Sequence, residues 1–185
     1  GGDGSDTLLG GLGNDEIDGG VGDDTLDGGA GSDVYTVSEG DDVIISGGGS
    51  DRLELSADYV FETANLDSAA GDLTLVLSKD GSPHSVTIRN NVLAPVKTLR
   101  IYSDEKSYQD FRLSVDFDAE TSTYTASTNL PTIMAGSDDA ETLIGAAAND
   151  RLIANDGNDI LDGGLGNDIL LGGAGDDVYR VSSGD

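Results

Sequence analysis

The chain has no cysteine and no tryptophan among its 185 residues, only 3 prolines, and a single methionine and histidine. Without cysteine there is no disulfide, no thiolate zinc site and no cysteine nucleophile. Positive charge is also scarce, with 9 basic residues against 36 acidic ones. The resulting net charge of −27 sets the chain against nucleic acid and anionic membrane surfaces, which carry the same sign. No apolar run approaches the ~20 residues that span a bilayer, and no basic start followed by an apolar stretch marks a cleaved signal peptide, so a water-soluble chain is expected. What remains is an acidic chain that repels itself, for which a multivalent cation is the natural countercharge.

What is abundant is glycine, with 28 residues, and it is not spread evenly. Residues 1–54 hold 16 glycines, 55–135 hold 2 and 136–185 hold 10, and the acidic excess follows the same division. The expected organisation is therefore two glycine-aspartate blocks, 1–54 and 136–185, flanking a β-rich middle segment, 55–135. The first block repeats every nine residues: GGDGSDTLL from Gly1, GGLGNDEID from Gly10, GGVGDDTLD from Gly19 and GGAGSDVYT from Gly28. Looser frames follow from Val37 and Ser46, and the period resumes at Gly136, Gly145, Ala154, Gly163 and Gly172. Position six is aspartate in every frame (Asp6, Asp15, Asp24, Asp33, Asp42, Asp51, Asp150, Asp159, Asp168, Asp177) except the one from Gly136, which has Glu141. Position eight is always apolar.

A nine-residue unit fits a six-residue turn followed by a three-residue strand. Side chains alternate along so short a strand, so position eight alone faces inward, and a single file of Leu, Ile and Tyr is a thin core. Tyr35 and Tyr179 occupy that inward position and are expected in the core. Glycines at positions one, two and four permit positive φ and let carbonyl oxygens converge. Such a turn, ending in aspartate, offers the all-oxygen donor set that Ca²⁺ takes in six- to eight-fold coordination.

The pattern GGxGxDxUx, with U apolar, resembles the calcium-binding nonapeptide repeat of RTX proteins, which are bacterial toxins, adhesins, proteases, lipases and epimerases exported by type I secretion. The resemblance covers 1–54 and 136–180. It implies an all-β fold with two right-handed parallel β-rolls separated by the non-repeat segment. It also implies several Ca²⁺ ions, each held between turn n and turn n + 2. That pairs Asp6 with Asp24, Asp15 with Asp33, Asp24 with Asp42 and Asp33 with Asp51. In the second block it pairs Glu141 with Asp159, Asp150 with Asp168 and Asp159 with Asp177. The frame from Val37 lacks the first two glycines, and the frame from Gly145 has alanine at positions two to four. The function implied is a secreted, non-catalytic module that folds on Ca²⁺ after export, as a scaffold of a larger toxin, adhesin or enzyme. A carbohydrate- or partner-binding accessory module of a polysaccharide-modifying enzyme is the alternative.

In the middle segment, residues 73–77 and 85–89 flank a turn at 79–83 and read as a hairpin, which places His84 at the surface in that turn. Phe111, Leu113, Val115 and Phe117 alternate with Arg112, Ser114 and Asp116 as one half-buried strand. The segment is expected to cap the open end of a roll, as repeat proteins require distinct ends. Lys97, Arg100, Lys106 and Arg112 read as countercharges on a folded surface, or as a patch for a protein or glycan partner. No nucleophile elbow, P-loop, EF-hand or dinucleotide fingerprint is present, so no catalytic residue is assigned. Residues 28–42 recur as 172–185, GGAGDDVYRVSSGD, so the chain is expected to be a fragment of a longer tandem array. Its continuation would then resemble VIISGGGSDRLELS.

Overall fold

A computed structural model describes residues 1–67, 70–89, 96–102, 107–113, 116–118, 121–126, 130–180 and 182. Among these residues the secondary structure is all β, with no helix. The chain forms two compact units, 1–63 with 67–110, and 64–66 with 111–185.

In the first unit each nonapeptide becomes a turn and a strand. Glu16–Asp18 and Val34–Thr36 are the expected three-residue strands over positions seven to nine, whereas Thr7–Leu12 and Thr25–Ala30 run on into the next frame. All of these strands pair parallel. One sheet aligns Leu8 with Leu26 and Leu26 with Ile44, and a second aligns Ile17 with Tyr35 and Tyr35 with Leu53. Successive nonapeptides thus alternate between two sheets, which is a parallel β-roll. Leu26, Tyr35, Ile44 and Leu53 at position eight are completely buried between the sheets.

The non-repeat residues of this unit extend both sheets. Ser82–Arg89 adds in parallel to Asp41–Ile45 with Ile88 opposite Ile44, and Val96–Tyr102 adds in parallel to Asp51–Leu55 with Leu99 opposite Leu53. Ile88 and Leu99 are fully buried, so the apolar file continues beyond the repeats into these strands. The expected hairpin is present: Asp72–Lys79 pairs antiparallel with Ser82–Arg89. Its turn is tighter than the sequence reading, because Asp80 and Gly81 both take positive φ (53° and 78°), the geometry an Asp-Gly pair favours. His84 therefore lies within a strand instead of a turn, half-buried, with its ring edge-on to Tyr59 at 5.8 Å.

The second unit repeats the scheme. One sheet aligns Tyr124 with Leu143, Leu143 with Leu161 and Leu161 with Tyr179, and the other aligns Met134 with Leu152 and Leu152 with Leu170. Leu143, Leu152 and Leu161 are completely buried. Tyr179 departs from expectation: it holds position eight, but in the last strand, and is 48% exposed. The strand expected through 111–117 is divided, with Tyr108–Arg112 and Asp116–Asp118 in different sheets. Ser114 and Val115 lie outside the described residues.

Candidate metal sites

The strands deliver the position-six carboxylates in two stacked columns, one above each sheet. Their vertical spacing is the spacing expected from the repeat, but the direct link is a hydrogen bond. The backbone N–H of Asp6 donates to Asp24 Oδ1 (2.8 Å), that of Asp15 to Asp33 (2.9 Å), that of Asp24 to Asp42 (3.1 Å) and that of Asp33 to Asp51 (2.9 Å), always 18 residues on. In the second unit Thr132 donates to Asp150 (2.8 Å), Glu141 to Asp159 (2.8 Å), Asp150 to Asp168 (2.8 Å) and Asp159 to Asp177 (3.1 Å). Each carboxylate thereby fixes one oxygen, Oδ1, to the neighbouring turn.

The other oxygen is the informative one. Oδ2 of Asp15, Asp24, Asp33, Asp42 and Asp159 is buried and meets no hydrogen-bond donor. A bare anionic oxygen in the interior costs several kcal/mol unless a positive group joins it. No three His, Asp, Glu or Cys side chains converge among the described residues, so no site could be built from side chains alone. Backbone oxygens supply the rest. A Cβ built on Gly10 would lie 2.8 Å from Asp15 Oδ2 and 2.7 Å from the Gly28 carbonyl oxygen, so both oxygens face one small cradle at position one. The same construction on Gly19 meets Asp24 Oδ2 at 2.5 Å, and on Gly163 meets Asp168 Oδ2 at 2.4 Å.

Position one is thus glycine for want of room, which corrects the expectation that its glycines are needed for positive φ. Positive φ belongs to positions two and four, for example Gly20 (93°) and Gly31 (147°). The structure accordingly predicts that Gly19→Ala, which strains no dihedral, nonetheless pushes a methyl against the Asp24 carboxylate. The expected cost is about 1–3 kcal/mol, with weakened calcium binding, read by thermal melting and calcium titration.

A hard, all-oxygen donor set of carboxylates and carbonyls, with no nitrogen or sulfur, fits Ca²⁺. Bound there, the ion would supply the countercharge that the buried carboxylates lack. Tyr35 adds a hydroxyl to the same neighbourhood: it accepts the Gly28 N–H (3.1 Å) and donates to the Ile45 carbonyl (3.3 Å), and a Cβ on Gly28 would meet both it and Asp33 Oδ2 at 2.3 Å. Tyr179 repeats the bond to Gly172 N–H at 2.9 Å despite its exposure.

A second column was not anticipated. At position five Asn14 accepts the Ser32 N–H (2.8 Å), Ser32 Oγ the Ser50 N–H (3.1 Å), Asp23 the Asp41 N–H (2.9 Å), Asn149 the Asn167 N–H (3.0 Å) and Asn158 the Asp176 N–H (2.8 Å). These bonds run the opposite way from those at position six, since here the earlier turn accepts. The signal was legible: position five is Ser, Asn or Asp in every frame but that of Ala140. In the first unit the column ends on the hairpin, where Asp41 Oδ1 accepts both the backbone N–H (2.8 Å) and the hydroxyl (2.9 Å) of Ser85. Beside it, His84 Nδ1 accepts the Gly40 N–H at 3.0 Å.

Burial pushes the Asp42 carboxyl up from 3.8 to about 6, only partly offset by the Asp24 N–H, with neighbouring carboxylates adding to the rise. Burial likewise raises Glu141, Asp150 and Asp159. A carboxyl that holds its proton more tightly when folded stabilises the fold below 3.8, and that contribution disappears as the pH climbs through about 6. Metal-free chain is therefore expected to keep more β signal in far-UV circular dichroism at pH 4.5 than at pH 7.5. A stronger signal at pH 7.5 would contradict the burial of these groups.

Among known protein families, the RTX calcium-binding nonapeptide repeat matches in four copies, over residues 1–35, 32–59, 135–170 and 163–185. No curated protein matches the chain. Among solved structures, the extracellular lipase LipA from Serratia marcescens is similar at 21% identity and a TM-score of 0.44, over 84% of this chain and 27% of the lipase. The chain thus spans about a quarter of that protein's length.

Proposed function

Since the chain belongs to the RTX calcium-binding nonapeptide repeat family, we propose that it is a calcium-responsive folding module of a larger secreted bacterial protein. In this reading the turns of 1–54 and 136–185 take up several Ca²⁺ ions through the position-six carboxylates and the carbonyls of position one. Residues 55–135 cap and connect them. The observation that carries the reading is the set of buried, donor-free Oδ2 atoms, each an incomplete charge pair. Metal binding free energy is then folding free energy. At the ~10⁻⁴–10⁻³ M affinity of extracellular calcium modules, the chain stays unfolded in the cytosol during type I secretion and folds outside. The module acts as a scaffold and folding aid and performs no chemistry of its own.

The accessory-module alternative draws less support. Arg100, the described member of the basic group, is engaged by Asp110 through two hydrogen bonds of 2.6 and 2.8 Å and lies 3.5 Å from Glu54, so its charge is already answered within the fold. Calorimetric titration with Ca²⁺ tests the proposal. Several ions are expected to bind, with Mg²⁺ failing to compete because it demands a tighter, more hydrated octahedron. Heat no different from buffer would overturn it.

A further inference from the structure

The candidate carboxylates fall into two classes. In Asp24, Asp33, Asp42 and Asp159, Oδ1 accepts a backbone N–H from the preceding turn and Oδ2 is buried without a donor. Asp51, Glu141 and Asp150 are arranged differently, because the chain itself satisfies both of their oxygens. Asp150 accepts the Thr132 N–H on Oδ1 and the Ala146 N–H on Oδ2, each at 2.8 Å. Glu141 accepts the Ser137 N–H at 3.2 and 3.3 Å on its two oxygens, and the Ser137 hydroxyl as well. Asp51 accepts the Asp33 N–H on Oδ1 and the Ser46 hydroxyl on Oδ2.

The donors are the very residues by which these frames depart from the strict repeat. Ser46 stands at position one, where the strict frames have glycine and the frames of Asp42 and Asp159 have Val37 and Ala154, and it alone brings a hydroxyl to the carboxylate there. Ser137 and Ala146 stand at position two of their frames, and their N–H groups point at the carboxylate oxygen that a cation would need. A backbone N–H in a hydrogen-bonded turn cannot rotate away, and its positive end repels a cation on the same oxygen. Asp51 and Glu141 lie in the frames that border the non-repeat segment, and Asp150 in the frame after that of Glu141.

We infer that Asp51, Glu141 and Asp150 are not calcium ligands, and that their turns are closed by the protein's own N–H and O–H donors. The module therefore binds fewer ions than its position-six acids imply, and in each unit the frame nearest the non-repeat strands is held without metal. This rests on the calcium-binding reading above.

Calcium titration calorimetry on the full chain and three variants provides the test. Asp24→Asn is expected to lose one ion from the stoichiometry. Asp51→Asn and Glu141→Gln, which keep an accepting oxygen, are expected to retain the parent stoichiometry with affinity within about twofold. Loss of an ion in either of these two variants would overturn the inference. Because a substitution can also perturb the turn, anomalous diffraction from crystals of the unsubstituted chain grown in calcium supplies a second reading. Ions are expected against Asp24 and Asp33 and none against Asp51, Glu141 or Asp150; an ion within ~2.3–2.6 Å of any of those three overturns it. Absence of all calcium binding by the parent chain would instead remove the proposed function itself.

Discussion

In excess chelator at neutral pH the far-UV circular dichroism of the chain is expected to lose most of its β signal, and added Ca²⁺ to restore it. The reason is the imbalance between what the repeats bury and what holds them. Each strict frame buries at most one apolar side chain, such as Leu26 or Tyr35, while fixing nine residues of backbone at roughly 1–2 kcal/mol each. Each frame also brings in a carboxylate, and Asp24, Asp33 and Asp42 are 1%, 0% and 2% exposed with one oxygen unanswered. Within a chain of net charge −27, stacking such groups without a counterion opposes folding at every turn. Mg²⁺ at the same concentration should not substitute. A spectrum and melting temperature indifferent to chelator would remove the metal from the account of stability.

The second large effect is expected from Asp33→Ala. Asp33 is a hinge between three turns: its carboxylate accepts the Asp15 N–H, and its own N–H donates to Asp51. Truncation strands the Asp15 N–H, at about 1–3 kcal/mol, and removes a buried, donor-free oxygen from the first repeat block. The calcium midpoint of folding should rise at least tenfold, since each ~1.4 kcal/mol corresponds to a factor of ten. Asp33→Asn restores the Oδ1 acceptor but not the charge, and should fall between parent and alanine variant. Equal midpoints for all three would mean that the column of carboxylates does not couple turn to turn.

Much of this arrangement was legible in the sequence, for identifiable reasons. The nine-residue period fixes which residues share a sheet, so the alignment of Ile17, Tyr35 and Leu53 follows once two frames make a turn. Asp80-Gly81 announced the hairpin through local backbone preference alone. Features that depend on distant partners were not legible. Nothing in the pattern around Ile88 says that its strand will lie beside Ile44 in parallel, because that pairing is chosen by the apolar file it prolongs. Pro83 reads as a turn residue and so places His84 in the turn, whereas Ser78 pairs with Pro83 inside the ladder. For the glycines of position one the close approach of oxygens holds and the positive φ does not, since steric room and backbone freedom are not separable in a sequence. The position-five column was overlooked because small polar residues in a glycine-rich turn look like solvated filler until their acceptors are seen.

The alternation of frames between two sheets limits how such a module can change length. Ser82–Arg89 adds to the sheet of Leu8, Leu26 and Ile44, and Val96–Tyr102 to the sheet of Ile17, Tyr35 and Leu53. Duplication or loss of one nonapeptide would exchange the two faces and present each strand with the other's template. Change by a pair of nonapeptides preserves the match, so recombination and protein engineering alike should find this array divisible in double steps and resistant to single ones.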